Sequence, residues 1–145
     1  MKEPLFKSVM TPFPYSIELS APIGAARALM LEHKVRHLPV TVNHELKGVV
    51  TDRDIKLLLG PEFGSPDPKE LTVEDAYLAD CYAVDIEHPL RDVLHTMAER
   101  HIGAAIAVSH GRLAGIFTAS DACRVLADHL DRQFHAGEND PDQIA

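Results

Sequence analysis

The sequence predicts an α+β fold of two β-α-β-β-α repeats packed with pseudo-twofold symmetry, and an internal duplication is the first reason. The stretch GVVTDRD at residues 48–54 returns as GIFTASD at residues 115–121, an offset of 67 residues (118 − 51 = 67). The same offset aligns residues 5–59 with residues 72–126 without a gap. A fixed internal offset indicates a repeated structural unit. Because a unit of about 55 residues buries too little surface to be stable alone, the two copies are expected to pack together.

Hydrophobic spacing is the second reason, because within each copy it changes from the period of a strand to that of a helix. Tyr15-Ser-Ile-Glu-Leu19 alternates like a short strand, and Ser20-Ala-Pro22 has the chemistry of a helix start. A helix is therefore expected up to about Lys34. In the second copy the helix follows Pro89, with apolar residues at i, i+3, i+4 and i+7: Leu90, Val93, Leu94 and Met97.

Each copy continues with a β-hairpin and a second helix. The hairpin strands are predicted at residues 38–42, 46–50, 104–108 and 113–117. The helices that follow begin at Thr51 and Thr118. The predicted boundaries are repeat 1 at 1–60, a linker rich in Gly and Pro at 61–71, repeat 2 at 72–130 and a flexible C-terminal tail at 131–145.

Composition limits the classes of partner. The chain has 145 residues, 46% of them hydrophobic, and a formal net charge of −8 at pH 7. That charge opposes attraction to nucleic acid or to an anionic membrane, since phosphates attract clustered Lys and Arg. Cys81 and Cys123 form no CxxC motif, and the sequence has neither a signal-length apolar run at its N-terminus nor the roughly 20 apolar residues that span a bilayer. A cytoplasmic location with no nucleic-acid or membrane partner is expected.

The motif Thr-x-x-Asp occurs in register in both copies, at Thr51 and Asp54 and again at Thr118 and Asp121. As a capping box, each pair would close the first turn of a helix by reciprocal hydrogen bonds. As a ligand site, the same hydroxyl, carboxylate and free N–H groups would meet a ribose and a phosphate at the positive end of the helix dipole. The spacing does not separate these interpretations. The glycine three residues before each threonine indicates close approach of either another backbone or a ligand.

Three features together resemble a tandem pair of cystathionine β-synthase (CBS) domains, the Bateman module. They are the duplicated unit with its G-h-x-T-x-x-D ending, the Val35-Arg-His-Leu-Pro-Val40 segment before the first hairpin, and Val9-Met-Thr-Pro12 near the start. The resemblance covers nearly the whole chain, so the stand-alone form of the module is expected. It implies a regulatory module, not an enzyme, that binds an adenosyl ligand such as AMP, ADP, ATP, NAD or S-adenosylmethionine between the repeats.

The resemblance also implies which residues bind the ligand. Those that match ribose or phosphate contacts are Thr51, Asp54, Thr118 and Asp121. Those that match adenine contacts are the backbones of Tyr15 and Tyr82 and the apolar side chains of Val35 and Ile102. Basic residues that contact phosphates in family members match Arg36, His37 and Arg53, whose counterparts in the second copy are Gly103, Ala104 and Ser120. Gly103 and Ser120 complete the thirteen residues predicted to bind ligand.

This difference in charge ranks the two sites. In the family, basic residues of one repeat commonly serve a nucleotide whose ribose is held by the other. A nucleotide at Thr118 and Asp121 would then meet Arg36 and His37, so the Asp121 site is expected to bind a phosphorylated ligand better than the Asp54 site. The same basic residues favour a nucleotide over S-adenosylmethionine, which carries a positive charge of its own.

Other functions stay open at the level of the sequence. A ligand-free interaction or scaffold module would use the Thr-x-x-Asp motifs as caps alone. His33-x-x-x-His37 has a spacing that can hold zinc, but no third ligand is recognisable. An enzyme would need a nucleophile with an oriented base, and no such pattern is present. The resemblance further implies a homodimer formed through the helices and an unidentified regulated protein.

Overall fold

The computed structural model describes residues 3–60 and 71–138. The fold is mixed α and β, as predicted. The first half contains α1 (Phe6–Val9), β1 (Thr11–Pro12), β2 (Ile17–Glu18), α2 (Ile23–His33), β3 (His37–Val42), β4 (Glu45–Thr51) and α3 (Asp52–Leu59). The second half contains a 3-10 turn (Val73–Asp75), β5 (Ala83–Asp85), α4 (Leu90–Arg100), β6 (Ala104–Ser109), β7 (Arg112–Thr118) and α5 (Ala119–Glu138).

The strands form one sheet whose order, β2-β3-β4-β7-β6-β5, is symmetric about its centre. Each repeat contributes an antiparallel hairpin with a parallel strand outside it. The hairpins meet where β4 and β7 pair at Glu45 and Arg112. A register shift follows Val40 in one hairpin and Ala107 in the other, which are equivalent positions of the duplication. The predicted pseudo-twofold packing is therefore confirmed.

The leading segment of each repeat packs against the other repeat. Phe6 is 1% exposed in the core of the second repeat, with its ring edge-on to that of Phe117 at 5.7 Å. Its counterpart, Val73, is fully buried in the core of the first repeat. β1 pairs with β7, and Leu78 forms the equivalent bridge to Val49 of β4. The repeats are thus joined by exchanged segments as well as by the central strands.

This exchange explains the duplicated glycines. A Cβ on Gly48 would collide with the main-chain oxygen of Leu78. A Cβ on Gly115 would lie 2.6 Å from Sδ of Met10 and 2.9 Å from the main-chain oxygen of Thr11. The sequence left open whether a backbone or a ligand approaches these positions, and in the structure it is a crossing backbone.

The apolar stripes of the first helix in each repeat face the cores as predicted. The fully or nearly buried residues are Ile23, Ala26 and Met30 in α2 and Leu90, Val93 and Met97 in α4, with Leu94 packed partly buried beside them. Both helices end on a residue in the left-handed conformation, Lys34 (φ 55°) and His101 (φ 54°). These two turns bring the chain from the helices back to the sheet.

Two predicted boundaries differ from the structure. The first strand spans Ile17–Glu18 and not residues 15–19. It begins one position later than its counterpart β5, because Pro39 has no N–H, whereas the matching Ile106 donates to the carbonyl of Tyr82 at 2.8 Å. At the other end, α5 continues to Glu138, into the segment 131–145 that was predicted to be a flexible tail. Its apolar residues keep a helical spacing at Leu126, Leu130 and Phe134. Of the predicted linker 61–71, residues 61–70 lie outside the described residues, as do residues 139–145 of the tail.

Candidate functional site

A cleft of about 670 Å³ opens between the two repeats. Its walls are the segment after β1, the turn between α2 and β3, and the N-terminus of α5. Eight of the thirteen residues predicted to bind ligand line it together: Tyr15, Val35, Arg36, His37, Gly103, Thr118, Ser120 and Asp121. Four come from each repeat. The other five, which do not line this cleft, are Thr51, Arg53, Asp54, Tyr82 and Ile102.

Asp121 is the buried carboxylate of the cleft, with a side chain 8% exposed. Its Oδ2 accepts hydrogen bonds from the Thr118 N–H at 2.9 Å and from Thr118 Oγ1 at 3.1 Å. Thr118 Oγ1 in turn accepts from the Asp121 N–H at 3.4 Å. On the other oxygen, Oδ1 accepts from Arg124 Nη1 at 2.9 Å. The carboxylate is therefore held in one orientation at the first turn of α5.

The Thr-x-x-Asp motif forms a capping box wherever it occurs among the described residues. At the start of α3, the Thr51 N–H donates to Asp54 at 3.2 Å and the Asp54 N–H donates to Thr51 Oγ1 at 3.0 Å. A third pair does the same at the exposed 3-10 turn, where the Thr72 N–H donates to Asp75 at 2.8 Å. The capping interpretation is thus correct for the motif itself. A ligand site needs further support from the surrounding cleft.

That support is a set of cations in the same cleft. Lys34, Arg36 and Arg124 line it beside Asp121. Of these, Lys34 and Arg124 were not predicted from the sequence. Arg124 could have been found, because i+3 from Asp121 places it on the same face of a helix that begins at Thr118. Lys34 depends on α2 ending at His33, a boundary that sequence patterns locate within a few residues at best.

The equivalent positions of the other repeat carry a different charge. At the offset of 67 residues, the counterparts of Lys34, Arg36 and Arg124 are His101, Gly103 and Leu57. Two neutral lining residues, Phe13 and Ala119, correspond to the acids Asp80 and Asp52. The two halves of the molecule therefore share a backbone plan, but the Asp121 side carries more positive charge. The Asp54 side has the extra acids Asp52 and Asp80, and its added cation is Arg53 at the position of Ser120.

His37 lies at the contact between the repeats. A Cβ on Gly103 would be 3.2 Å from Nε2 of His37, so the missing side chain leaves room for the imidazole. Burial lowers the pKa of His37 below its ordinary value of 6.5, the carboxylate of Asp54 acts to raise it, and Arg36 acts to lower it further. Because its pKa lies below 6.5, the imidazole of His37 is mostly neutral at pH 7.

The two tyrosines predicted to border the adenine are each packed on a residue at the end of a helix. Tyr15 stacks on His33 with ring centroids 3.7 Å apart and planes at 14°. Its counterpart Tyr82 lies under the guanidinium of Arg100, which is 5.5 Å from the ring centroid. Across residues 3–60 and 71–138, no group of three or more His, Cys, Asp or Glu side chains is arranged to hold a metal ion. The zinc hypothesis for His33 and His37 therefore lacks a further ligand there.

One lining residue that the sequence did not indicate is Phe13. It is 95% exposed at the edge of the cleft and has a left-handed φ of 47°. Its N–H donates to the carbonyl of Ala114 at 3.3 Å. Isolated exposed phenylalanines are ordinary in sequence, so no pattern marks this one. Its ring is free to contact a planar ligand in the cleft.

Comparison with known proteins gives the family. The profile of the CBS domain matches residues 6–60 and 73–128, one match for each repeat. Hypoxic response protein 1 of Mycobacterium tuberculosis is 33% identical over 113 residues, which are 77% of this chain and 78% of that protein. No helix in the described part of the chain has the length and apolar character needed to cross a membrane.

Solved structures share the same architecture. CBSX2 in complex with AMP superposes with a TM-score of 0.75 at 25% identity, covering 87% of this chain and 98% of that one. Hypoxic Response Protein I, which has two coordinated zinc ions, superposes with a TM-score of 0.71 at 26% identity, covering 83% and 98%. A protein assigned to acetoin utilization (AcuB) from Vibrio cholerae superposes with a TM-score of 0.80 over 97% of this chain and all of its own, at 24% identity, which shows the shared fold.

Proposed function

Because this chain belongs to the CBS domain family, we propose that it is a regulatory module, not an enzyme, that binds an adenine nucleotide in the cleft beside Asp121. The ligand class is AMP, ADP, ATP or NAD, and the nucleotide links the two repeats. In this proposal Asp121 accepts hydrogen bonds from the ribose hydroxyls, and the N-terminus of α5 with Arg36 and Lys34 faces the phosphates. The adenine lies against Val35 and the backbone at Tyr15.

The observation that carries the proposal is the joining of a buried carboxylate to a basic cleft. Asp121 comes from one repeat, whereas Lys34 and Arg36 come from the other, and all three line one cavity. The cavity of about 670 Å³ lies within the range of about 300–1,000 Å³ that small-molecule sites occupy. Charge-assisted hydrogen bonds from Arg to phosphate are stronger than neutral ones. Because the protein has an overall charge of −8, most of its surface repels anions, and the local basic cleft is the place where an anion is expected to bind.

The charge of the cleft also supports the ranking of ligands. S-adenosylmethionine has a sulfonium cation where a nucleotide has phosphates, and it would face Lys34, Arg36 and Arg124. The positive charges of the sulfonium and of these side chains repel each other when they share one cleft. We therefore place the phosphorylated ligands ahead of S-adenosylmethionine, and the Asp121 cleft ahead of the Asp54 side.

The test is a calorimetric titration with AMP, ATP, NAD and S-adenosylmethionine. The same motif at three places offers matched variants, because Asp121→Ala, Asp54→Ala and Asp75→Ala each remove one capping carboxylate. Each variant loses the hydrogen bond that the carboxylate accepts from the N-cap N–H, which costs about 1 kcal/mol, and Asp121→Ala also loses the ion pair with Arg124. Asp121→Ala is expected to weaken nucleotide binding about tenfold or more, the size of a lost hydrogen bond to a charged group. Asp75→Ala is expected to leave the affinity unchanged.

Two outcomes would contradict parts of the proposal. A greater loss of affinity from Asp54→Ala than from Asp121→Ala would overturn the ranking of the sites. No saturable heat from folded wild-type protein with any of the four ligands would reject nucleotide binding. That result would favour the second candidate, a ligand-free interaction module, which the complete capping box at the exposed pair Thr72 and Asp75 supports.

We also propose that the module acts as a homodimer on a regulated protein. The helices leave large apolar side chains exposed, and three of them lie one turn apart on α5: Leu126 (58% exposed), Leu130 (45%) and Phe134 (67%). Leu57 of α3 is 70% exposed. An apolar helix face of this kind is self-complementary in a twofold dimer. A second copy of the chain is therefore the proposed occupant.

A further inference from the structure

We infer that Arg124 selects ligands by charge, because it occupies the oxygen of Asp121 that a ribose needs. When a nucleotide binds, the ribose takes the place of Arg124 on Asp121, and the phosphate becomes the new partner of Arg124. This inference rests on the proposed function of the same cleft. It assigns a role to a residue that neither the motif nor the duplication marks, since the counterpart of Arg124 in the first repeat is Leu57.

The hydrogen bonds of Asp121 leave too little room for a ribose diol. A carboxylate offers about four lone-pair directions. The Thr118 N–H and Oγ1 use Oδ2, and Arg124 Nη1 uses Oδ1. A cis-diol brings two further O–H donors, so one of the present donors has to leave. The carboxylate of Asp54 has more room, since it accepts from the Thr51 N–H at 3.2 Å and the residue equivalent to Arg124 is Leu57, which has no donor in its side chain.

Arg124 is the donor that can move. The Thr118 N–H belongs to the backbone at the junction of β7 and α5, and the Thr118 hydroxyl is fixed by the same capping box. The side chain of Arg124 is 68% exposed, whereas that of Asp121 is 8% exposed. A long exposed guanidinium can rotate without disturbing the fold, and a phosphate gives it a new partner through two parallel N–H···O bonds.

The exchange makes affinity depend on whether the ligand carries a phosphate. When AMP binds, Arg124 loses one hydrogen bond to a carboxylate oxygen and gains two to phosphate oxygens, so the lost contact is more than replaced. When adenosine binds, Arg124 loses its partner and gains none. The ion pair therefore lowers the affinity for an uncharged nucleoside and leaves that for a nucleotide high. Adenosine is therefore disfavoured because it breaks the contact between Arg124 and Asp121 without replacing it, whereas the phosphate of AMP replaces it.

Calorimetric titrations of wild type and Arg124→Leu with AMP and with adenosine test this exchange. Arg124→Leu reproduces the residue of the first repeat, and it is expected to bind AMP more weakly and adenosine more tightly than wild type does. We expect the dissociation constant for adenosine divided by that for AMP to fall about tenfold or more, the size of one charge-assisted hydrogen bond. Arg124→Lys, which keeps the charge but loses the fork of donors, is expected to lie between the two.

The matched control is Arg91→Leu. Arg91 is 72% exposed on α4, pairs with Glu3 at 3.5 Å, and does not line the cleft, so the variant changes the net charge equally. It is expected to leave the ratio at the wild-type value. A rise in adenosine affinity in Arg124→Leu alone identifies the release of Asp121, because removing a distant cation does not improve binding of an uncharged ligand.

The outcomes separate this inference from the proposed function. Suppose that Asp121→Ala weakens AMP binding but Arg124→Leu leaves the ratio of the adenosine and AMP dissociation constants unchanged. That result overturns the role of Arg124 and leaves nucleotide binding in place. The same holds when Arg124→Leu weakens AMP but does not strengthen adenosine, since Arg124 then acts as a simple attractive charge. Absence of binding by wild type to AMP, and by Arg124→Leu to adenosine, overturns both.

Discussion

Replacing Gly48 by alanine tests the crossing of the exchanged segment over β4. The added Cβ would collide with the main-chain oxygen of Leu78 and come within 2.9 Å of Cδ2 of Tyr77. The Leu78 backbone cannot retreat freely, because it exchanges hydrogen bonds with Val49 at 2.8 and 3.0 Å. Overpacking of a well-packed site costs about 1–3 kcal/mol, and a backbone obstacle places Gly48→Ala near about 3 kcal/mol of unfolding free energy.

Two other glycines calibrate this value. At Gly115 the nearest obstacle is Sδ of Met10, a flexible side chain, although the main-chain oxygen of Thr11 is 2.9 Å away, so Gly115→Ala should cost about 1–2 kcal/mol. At Gly24, on α2, no atom lies within 4 Å, and alanine should stabilise the protein by about 0.5–1 kcal/mol.

Urea unfolding followed by circular dichroism measures all three variants against wild type. Two-state behaviour, shown by coincident transitions with different probes, is required for the comparison. The reasoning fails when Gly48→Ala lies within about 0.5 kcal/mol of wild type, the range of an ordinary surface substitution. It also fails when Gly115→Ala lowers the unfolding free energy more than Gly48→Ala does. The Met10 side chain beside Gly115 can move, whereas the Leu78 backbone beside Gly48 cannot.

Three further predictions concern the core, the imidazole and the helix face. Phe6→Ala should lower the unfolding free energy by about 3–5 kcal/mol, whereas Phe13→Ala, at a residue 95% exposed, should change it by less than about 0.5 kcal/mol in the same urea titration. The lowered pKa of His37 means that the unfolded state binds more protons than the folded state below pH 6.5, so stability should fall as the pH drops from 6.5 toward the lowered value. His37→Gln should lessen that fall in thermal unfolding across this range, and an unchanged slope would show that the imidazole is not responsible. Leu130→Glu should convert a dimer to a monomer in sedimentation, and a monomeric wild type at the same concentration would contradict the proposed interface.

The duplication made most of the fold predictable. It fixed the order of elements, because a match at one offset in residues 48–54 and 115–121 carries every other assignment with it. It could not reveal that Phe6 packs in the second repeat and Val73 in the first. Each core needs an apolar residue at this place, and the pattern is the same whichever repeat supplies it. The exchange became visible through Gly48 and Gly115, whose missing side chains are required by a backbone from the opposite repeat.

The candidate site was predicted less completely than the fold. Residues of the repeated motif, such as Asp121, and of the Arg36 segment were identified because they stand at matching or family-like positions. Lys34 was missed because its place in the cleft depends on where α2 ends. Arg124 was missed although its i+3 spacing from Asp121 was visible in the sequence, because it belongs to neither the motif nor the duplication. The third capping box, at Thr72 and Asp75, shows why the motif alone was ambiguous: its hydrogen bonds are those of any helix start.

The difference in charge between the two sides predicts that the proposed sensor binds its nucleotide beside Asp121. A nucleotide beside Asp121 would touch Arg36 and Lys34 on one repeat and Thr118 on the other, so its affinity depends on how the repeats are placed relative to each other. At a concentration of 100 times the dissociation constant, it would stabilise the binding arrangement by about 2.7 kcal/mol over one that does not bind. That amount is a roughly hundredfold shift in a two-state equilibrium, and a regulated partner that prefers either arrangement would respond to it. By equivalence the Asp54 side has two further acids and fewer cations, so in this proposal a single nucleotide bound beside Asp121 would set the state of the module.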